Sequence, residues 1–167
     1  NAEWKGHFDA RWGAELDGRR GVLLRTGARL EVVGRTKNVI KLSNGEFVSP
    51  EHIEKTLDGS AEDIVDQMIV VIYGQDVLAL VVPKNLSEAT ETTSAEKQTA
   101  LEMRLQDTLK RSGVARGLSV YEIPKAVAVV GRRWTVENKT MTVSNKVDRR
   151  RIRAECDVHL RRIAGRT

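Results

Sequence analysis

Cysteine, proline and aromatic residues are all scarce in this chain, and each scarcity removes a class of protein. A single Cys156 among 167 residues leaves no intramolecular disulfide framework. His7, His52 and His159 stand too far apart to offer the ligand spacing of a zinc site, so no metal is expected on these side chains. The longest apolar runs, Met68 to Tyr73 and Val77 to Val82, have the length of strands and fall far short of the roughly 20 residues a membrane-spanning helix needs. Asn1-Ala2-Glu3-Trp4 lacks the basic-then-apolar pattern of a secretory leader, and a cytoplasmic location is the expectation. The chain opens without Met, which suggests a piece of a longer protein.

Charge is present in excess of one sign. The formal net charge is +5, and the surplus gathers in Arg132, Arg133 and the tail from Arg149 to Arg166. Such a run favours contact with anions. With aromatics at 4%, however, there is little to interleave with the arginines, and no repeat or recognition motif accompanies them, which argues against a nucleic-acid-binding domain.

A hydrophobic content of 40% is enough for one core with a small appendage. Val22 to Arg25 and Leu30 to Val33, separated by Thr26-Gly27-Ala28, read as a hairpin. Val39 to Leu42 and Glu46 to Val48 flank Ser43-Asn44-Gly45, whose Asn-Gly pair tolerates the positive φ of a tight turn. Ser49-Pro50-Glu51 carries an N-cap, a proline at the first helical position and an acid facing the dipole, so a helix is expected to run from there to Asp58-Gly59. Val65 to Tyr73 and Val77 to Val82 are apolar almost throughout, as central strands covered on both faces would be. Asn85 to Thr93 reads as a surface loop. Leu101, Leu105 and Leu109 predict a helix from Ala95 to Arg111, stopped by Gly113, and Ala126 to Val130 predicts a third strand. Ile152, Cys156, Leu160 and Ile163 make the apolar stripe of a last helix starting near Val147, which marks Cys156 as a core residue rather than a nucleophile. The expected fold is α+β: a three-stranded sheet with flanking helices, plus N-terminal β-hairpins. Residues 1–33 would be a strap and hairpin at the edge of a preceding domain, and 34–167 the main unit.

No phosphate-cradling GxxxxGK[ST] loop, GxGxxG fingerprint or GxSxG elbow occurs, so the chain lacks a self-contained active site. Two stretches nevertheless carry a specific pattern. Gly34-Arg35-Thr36-Lys37-Asn38 leads into Lys41-Leu42-Ser43-Asn44-Gly45-Glu46-Phe47-Val48-Ser49-Pro50-Glu51, and far downstream Trp134-Thr135-Val136-Glu137-Asn138 leads to Thr142-Val143-Ser144-Asn145-Lys146. Together with Tyr121-Glu122-Ile123-Pro124, they resemble the C-terminal domain of the adenylate-forming superfamily of acyl-CoA synthetases, peptide-synthetase adenylation domains and luciferases. The pattern is most similar to long-chain acyl-CoA synthetases and to the adenylation domains of carboxylic acid reductases, over residues 30–153.

The resemblance implies an ATP-dependent acid:thiol ligase that makes an acyl-adenylate from a carboxylic acid, foremost a fatty acid, and passes the acyl group to CoA or a carrier-protein thiol. It implies ATP, Mg²⁺ and CoA or phosphopantetheine as cofactors, and an N-terminal adenylation domain as partner that holds most of them. This chain alone would then be inactive. Arg35 matches the arginine that binds the ribose hydroxyls, Lys37 the hinge, and Lys41, Ser43, Asn44 and Gly45 the loop of the thioester-forming face. Lys146 matches the catalytic lysine, which would set a compact positive charge where carboxylate and α-phosphate meet in the transition state. A lysine at the head of the last helix would oppose the helix dipole, a small local cost that also hints at function. Asn138 to Asn145 would supply a flexible polar loop around it. Two departures stand out. Ala28 follows Thr26-Gly27 where the family carries a ribose-binding aspartate, and Val143 replaces a proline. Two other readings remain: a degenerate lid acting as an interaction module, which Ala28 favours, and a basic nucleic-acid-binding domain.

Overall fold

A computed structural model describes residues 21–26, 29–35, 38–85 and 95–165, the first two stretches by their backbone. The strap over residues 1–18, Ala28 and nearly all of the loop to Thr93 lie outside the described residues.

The first hairpin pairs β1 (Gly21–Thr26) with β2 (Arg29–Arg35) in antiparallel register, Thr26 opposite Arg29. A second, shorter one pairs β3 (Ile40–Lys41) with β4 (Phe47–Val48). Helix α1 (Pro50–Leu57) follows directly, and Ser49 Oγ accepts from the His52 N–H at 3.3 Å as the expected cap. The main sheet contains β5 (Val65–Tyr73), β6 (Asp76–Pro83) and β7 (Ala126–Val129) in the order β5-β6-β7. Between its last two strands, α2 (Ala95–Ala115) makes the crossover that lets β7 pair parallel with β6. The chain ends in α3 (Arg149–Glu155) and α4 (Asp157–Ala164).

Strand alternation sorts the sheet's side chains into two cores. Val70, Ile72, Val77, Ala79, Val81, Val127 and Val129 face Ile53 and Leu57 of α1 and Leu105 and Leu109 of α2. Ile69, Val71, Leu78, Leu80, Ala126 and Ala128 face Trp134 and the stripe Ile152, Cys156, Leu160 and Ile163. The sheet is therefore sandwiched between helix layers, and this double cover makes Met68 to Ile72, Val77 to Val82 and Ala126 to Val129 apolar without interruption.

Three expectations are corrected. Only β6 is central: β5 lies at an edge of the sheet, because β7 takes the place on the far side of β6. The helix α2 does not stop at Gly113 but continues to Ala115. A Cβ on Gly113 would lie 3.2 Å from Leu118 Cδ1 and 3.4 Å from Ile123 Cγ1, so glycine serves close packing there. The stop is made by Gly117 at φ +83, with Leu118 N–H donating to Gly113 O and Gly117 N–H to Val114 O, the bond pair of a Schellman motif. Finally, the last helix is two helices joined at Cys156, whose φ and ψ of −97° and 11° break the run while leaving the apolar stripe buried.

Both outer edges of the sheet are closed by side chains. On β5, Glu54 Oε1 accepts from Val70 N–H at 2.5 Å and Arg149 Nη1 donates to Val70 O at 3.2 Å. Further along, the Gln67 amide exchanges two bonds with the Trp134 backbone, at 2.8 and 2.9 Å. On β7, Glu102 accepts from Val129 N–H at 3.1 Å and is held by Arg162, whose Nη1 donates to Oε2 at 2.8 Å. Glu102 lies 3% exposed, one residue along from the stripe of leucines. Removing one partner of a buried ion pair leaves the other charge uncompensated. Glu102→Ala is therefore expected to destabilise the fold by about 3 kcal/mol, read as a lower urea midpoint with unchanged slope, whereas Glu96→Ala on the exposed start of the same helix should leave the midpoint in place.

Candidate functional site

Lys146 stands on a small hairpin that the fold closes tightly. Met141 and Val147 form a bridge at its stem. Thr142 N–H donates to Lys146 O, Asn145 N–H to Thr142 O, and Lys146 N–H to Thr142 Oγ1 at 3.1 Å. Asn145 takes the left-handed conformation at φ +56, which asparagine tolerates better than most residues. The lysine side chain is exposed, and Val143 at the tip is 91% exposed.

The approach to this hairpin is polar, as expected, but it is bonded to itself rather than loose. Asn138 Oδ1 accepts from Thr135 N–H and Thr140 N–H at 3.1 Å each, and its Nδ2 donates to Arg133 O at 2.7 Å. Thr140 is buried and Met141 N–H donates to Thr135 O. The Thr135 hydroxyl, with a backbone N–H of Glu137 itself, holds the exposed Glu137 carboxyl below the usual carboxylate range.

The helix after Lys146 begins only at Arg149, with Asp148 as its cap accepting from Arg151 N–H at 3.0 Å. Lys146 thus precedes the cap and does not oppose the dipole; that part of the expectation fails because Asp148 is the better N-cap. Arg149 in the first turn reaches across to Glu54 on α1, Nη1 to Oε1 at 2.7 Å and Nη2 to Oε2. Burial disfavours its charge, but the hydrogen bonds and attraction of Glu54, with Glu51 further off, outweigh that cost and hold the guanidinium above its ordinary range.

The second expected loop lies elsewhere. Ser43 N–H donates to Gln75 Oε1 at 2.5 Å, which ties the loop to the β5–β6 turn. Leu42 N–H donates to Glu46 O, Gly45 N–H to Leu42 O, and Asn44 Oδ1 accepts from Glu46 N–H at 3.1 Å. Gly45 has φ +86 with no atom within 4 Å of where a Cβ would sit, so that side of the loop is open to a passing chain. Lys41 is exposed, with Nζ 5.5 Å from the centre of the Phe47 ring. Arg35 ends β2, opposite Gly21, and Lys37 lies outside the described residues.

Lys41, Ser43, Asn44 and Gly45 are thus brought together with Gln75, and Lys146 is not among them. Met141, at the stem of the lysine hairpin, touches the Gln67 amide, at the opposite end of β5 from Tyr73 and the turn. At about 3.3 Å per residue those ends lie roughly 20 Å apart. Sequence reasoning missed Glu54, Arg149 and Gln67, since charged or amide residues on a partly buried face leave no periodic signal, and Gln75, which sits on an exposed turn where no pattern marks its partner.

No family model matches the chain. It is 35% identical over 137 residues to the carboxylic acid reductase of Mycobacterium marinum, a match covering 75% of this chain and 11% of that protein. It is 28% identical over 138 residues to long chain acyl-CoA synthetase 8 of Arabidopsis thaliana, covering 75% and 19%. Among solved structures, the adenylation domain of carboxylic acid reductase from Segniliparus rugosus, in complex with AMP and a co-purified carboxylic acid, superposes with a TM-score of 0.68 at 28% identity, over 84% of this chain and 22% of that one. The chain belongs with the C-terminal domains of adenylate-forming enzymes. Such a domain is a small part of the whole, and this one spans about a tenth to a fifth of the length of the curated relatives it matches.

Cys156 is a core residue, as its place on the apolar stripe predicts. Its side chain packs among Ile152, Leu160 and Trp134 at 5% exposure, and burial, with the nearby Glu155 charge, pushes the thiol up to about 11. At about pH 8 the folded domain should resist iodoacetamide and react only at the rate at which it opens, while the urea-unfolded chain reacts readily; rapid labelling of folded protein would contradict the burial. Because the unfolded thiol ionises first, stability should fall as pH rises from about 9 towards 11.

Proposed function

We propose that the chain is the rotating lid of an ATP-dependent acid:thiol ligase, with residues 34–167 as the lid and 1–33 leading in from an N-terminal adenylation domain. The whole enzyme would convert a carboxylic acid, foremost a fatty acid, to its acyl-adenylate with release of pyrophosphate. It would then transfer the acyl group to CoA or to the phosphopantetheine thiol of a carrier protein. Acid pocket, ATP and Mg²⁺ would sit mainly on the N-terminal domain, in the cytoplasm.

The observation that carries this reading is the separation of the two working loops. Lys146 is presented near the Gln67 end of β5 and Ser43 to Gly45 near its Gln75 end. One reaction centre cannot meet both in a single pose, whereas a domain that turns between half-reactions can meet them in sequence. In the first pose, Lys146 would bring its ammonium between the carboxylate and the α-phosphate, where preorganised charge lowers the barrier, and Arg35 would hold the ribose through its planar set of donors. Lys37 would be the pivot. In the second, the open side of Gly45 would let the pantetheine arm pass close to the backbone, with Lys41, Ser43 and Asn44 around it. The relatives support the chemistry: one neighbour is bound to AMP and a carboxylic acid, and another is an adenylation and carrier didomain with AMP.

The charge distribution favours this over nucleic-acid binding. Arg133, Arg149, Arg151, Arg161 and Arg162 each pair with a carboxylate of the same chain, which leaves much less of the basic surplus facing outward than the sequence suggests.

Lys146→Ala in the full-length enzyme is expected to slow adenylate formation by about 10²-fold or more, on the order of 3 kcal/mol. Thioester formation from supplied acyl-adenylate should stay close to normal. Pyrophosphate exchange and thioester release measure the two steps separately, and a variant with normal exchange would remove Lys146 from catalysis. The present chain alone, incubated with ATP, Mg²⁺ and a panel of fatty and aryl acids, is expected to release no pyrophosphate above background.

A further inference from the structure

Three residues after Lys146, Arg149 ties the lysine-bearing segment to α1 and β5. It donates to both oxygens of Glu54 and also to Val70 O, while Glu54 in turn accepts from Val70 N–H. Four groups from three elements, α1, β5 and α3, thereby close into one ring. The pair is mostly shielded, at 19% exposure for Glu54 and 32% for Arg149, where charge-assisted bonds are stronger than at an open surface. Between the ring and the lysine lie only Val147, which bridges to Met141, and Asp148, whose N–H donates to Thr140 O. The lysine hairpin is thus anchored at one side through buried Thr140 and at the other through Arg149.

We infer that Glu54 and Arg149 are positioning residues for Lys146, fixing its hairpin on the edge of β5 so that the lysine arrives at the adenylation centre already in register. The inference rests on the lid reading above and adds the device that makes the lysine effective. A long flexible side chain gains catalytic power only if its backbone base is fixed, and a displacement of about 1 Å can cost on the order of 10²-fold in rate. The geometry calls for a full carboxylate at position 54, because Oε1 serves Val70 N–H and Nη1 while Oε2 takes Nη2, and for a forked donor at 149. Lysine at 149 offers a single nitrogen and cannot hold both carboxylate oxygens in parallel bonds as the guanidinium does.

The test uses the full-length enzyme with Glu54→Gln, Arg149→Lys, Lys146→Ala and, as a control, Arg151→Lys, whose partner Glu155 sits on the same helix. Glu54→Gln and Arg149→Lys are expected to lower kcat for pyrophosphate exchange by about tenfold or more, with KM for ATP and the rate of thioester formation from supplied acyl-adenylate within about threefold of normal. Arg151→Lys should match wild type. Amide exchange at Thr142, Asn145 and Lys146 should quicken in both ring variants, while Val130 N–H, bonded to Val81 O inside the sheet, keeps its protection. If Val130 loses protection together with the hairpin, or both half-reactions fall equally, the pair only stabilises the fold and the inference is overturned. It is also overturned if the ring variants exchange pyrophosphate normally while Lys146→Ala does not, and the lid reading then stands. Normal exchange by Lys146→Ala would instead remove Lys146 from catalysis and overturn the positioning role with it.

Discussion

A three-stranded sheet has two bare edges, and the closing of those edges by carboxylate–guanidinium pairs is the constraint on which this domain depends. Unpaired strand edges invite association with other chains, and buried unpaired backbone groups are costly. Here Glu54 with Arg149 covers β5, and Glu102 with Arg162 covers β7. Each carboxylate takes a backbone N–H from the strand, and each arginine comes from the C-terminal helices. The last segment of the chain is therefore fastened to both margins of a sheet formed much earlier in the sequence, and its apolar stripe is pressed onto the face between them.

The same fastening arranges the candidate site. Because α3 is tied to the middle of β5, the hairpin that precedes it emerges at one end of that strand, and the β5–β6 turn holds Ser43 at the other. Neither loop is long, and both have their backbone groups closed by local bonds, through Thr142 and Asn145 in one and Leu42, Asn44 and Glu46 in the other. Their exposed residues are thus carried on stiff supports. A domain built this way presents either loop without remodelling the loop itself.

Charge has a different meaning in the folded domain than along the chain. The basic tail looks like an anion-binding surface when counted residue by residue. In the fold, α3 and α4 direct Arg149 and Arg162 inward to the sheet edges, and Arg151 and Arg161 to acids one turn away. Exposed pairs of the last kind contribute little to stability, but they neutralise part of the cationic face. The inward pairs replace what an edge strand would otherwise supply.

The sequence by itself determined the elements, their apolar faces and the family pattern. Turn chemistry at Asn44-Gly45, the Ser49-Pro50 helix start and the Ile152-Cys156-Leu160-Ile163 stripe are local signals, written in neighbouring residues and in a fixed period. Lys146 and the Ser43 loop were legible for the same reason, as parts of short contiguous motifs. Only the tertiary structure decided which strand became an edge, that Gly113 serves packing while Gly117 ends the helix, that Glu54 and Glu102 act on strands far away in sequence, and that Gln67 holds the Trp134 backbone. Those roles depend on backbone donors and acceptors left over after the sheet has paired, and which ones are left over is a property of the strand order, something no single segment of the chain contains.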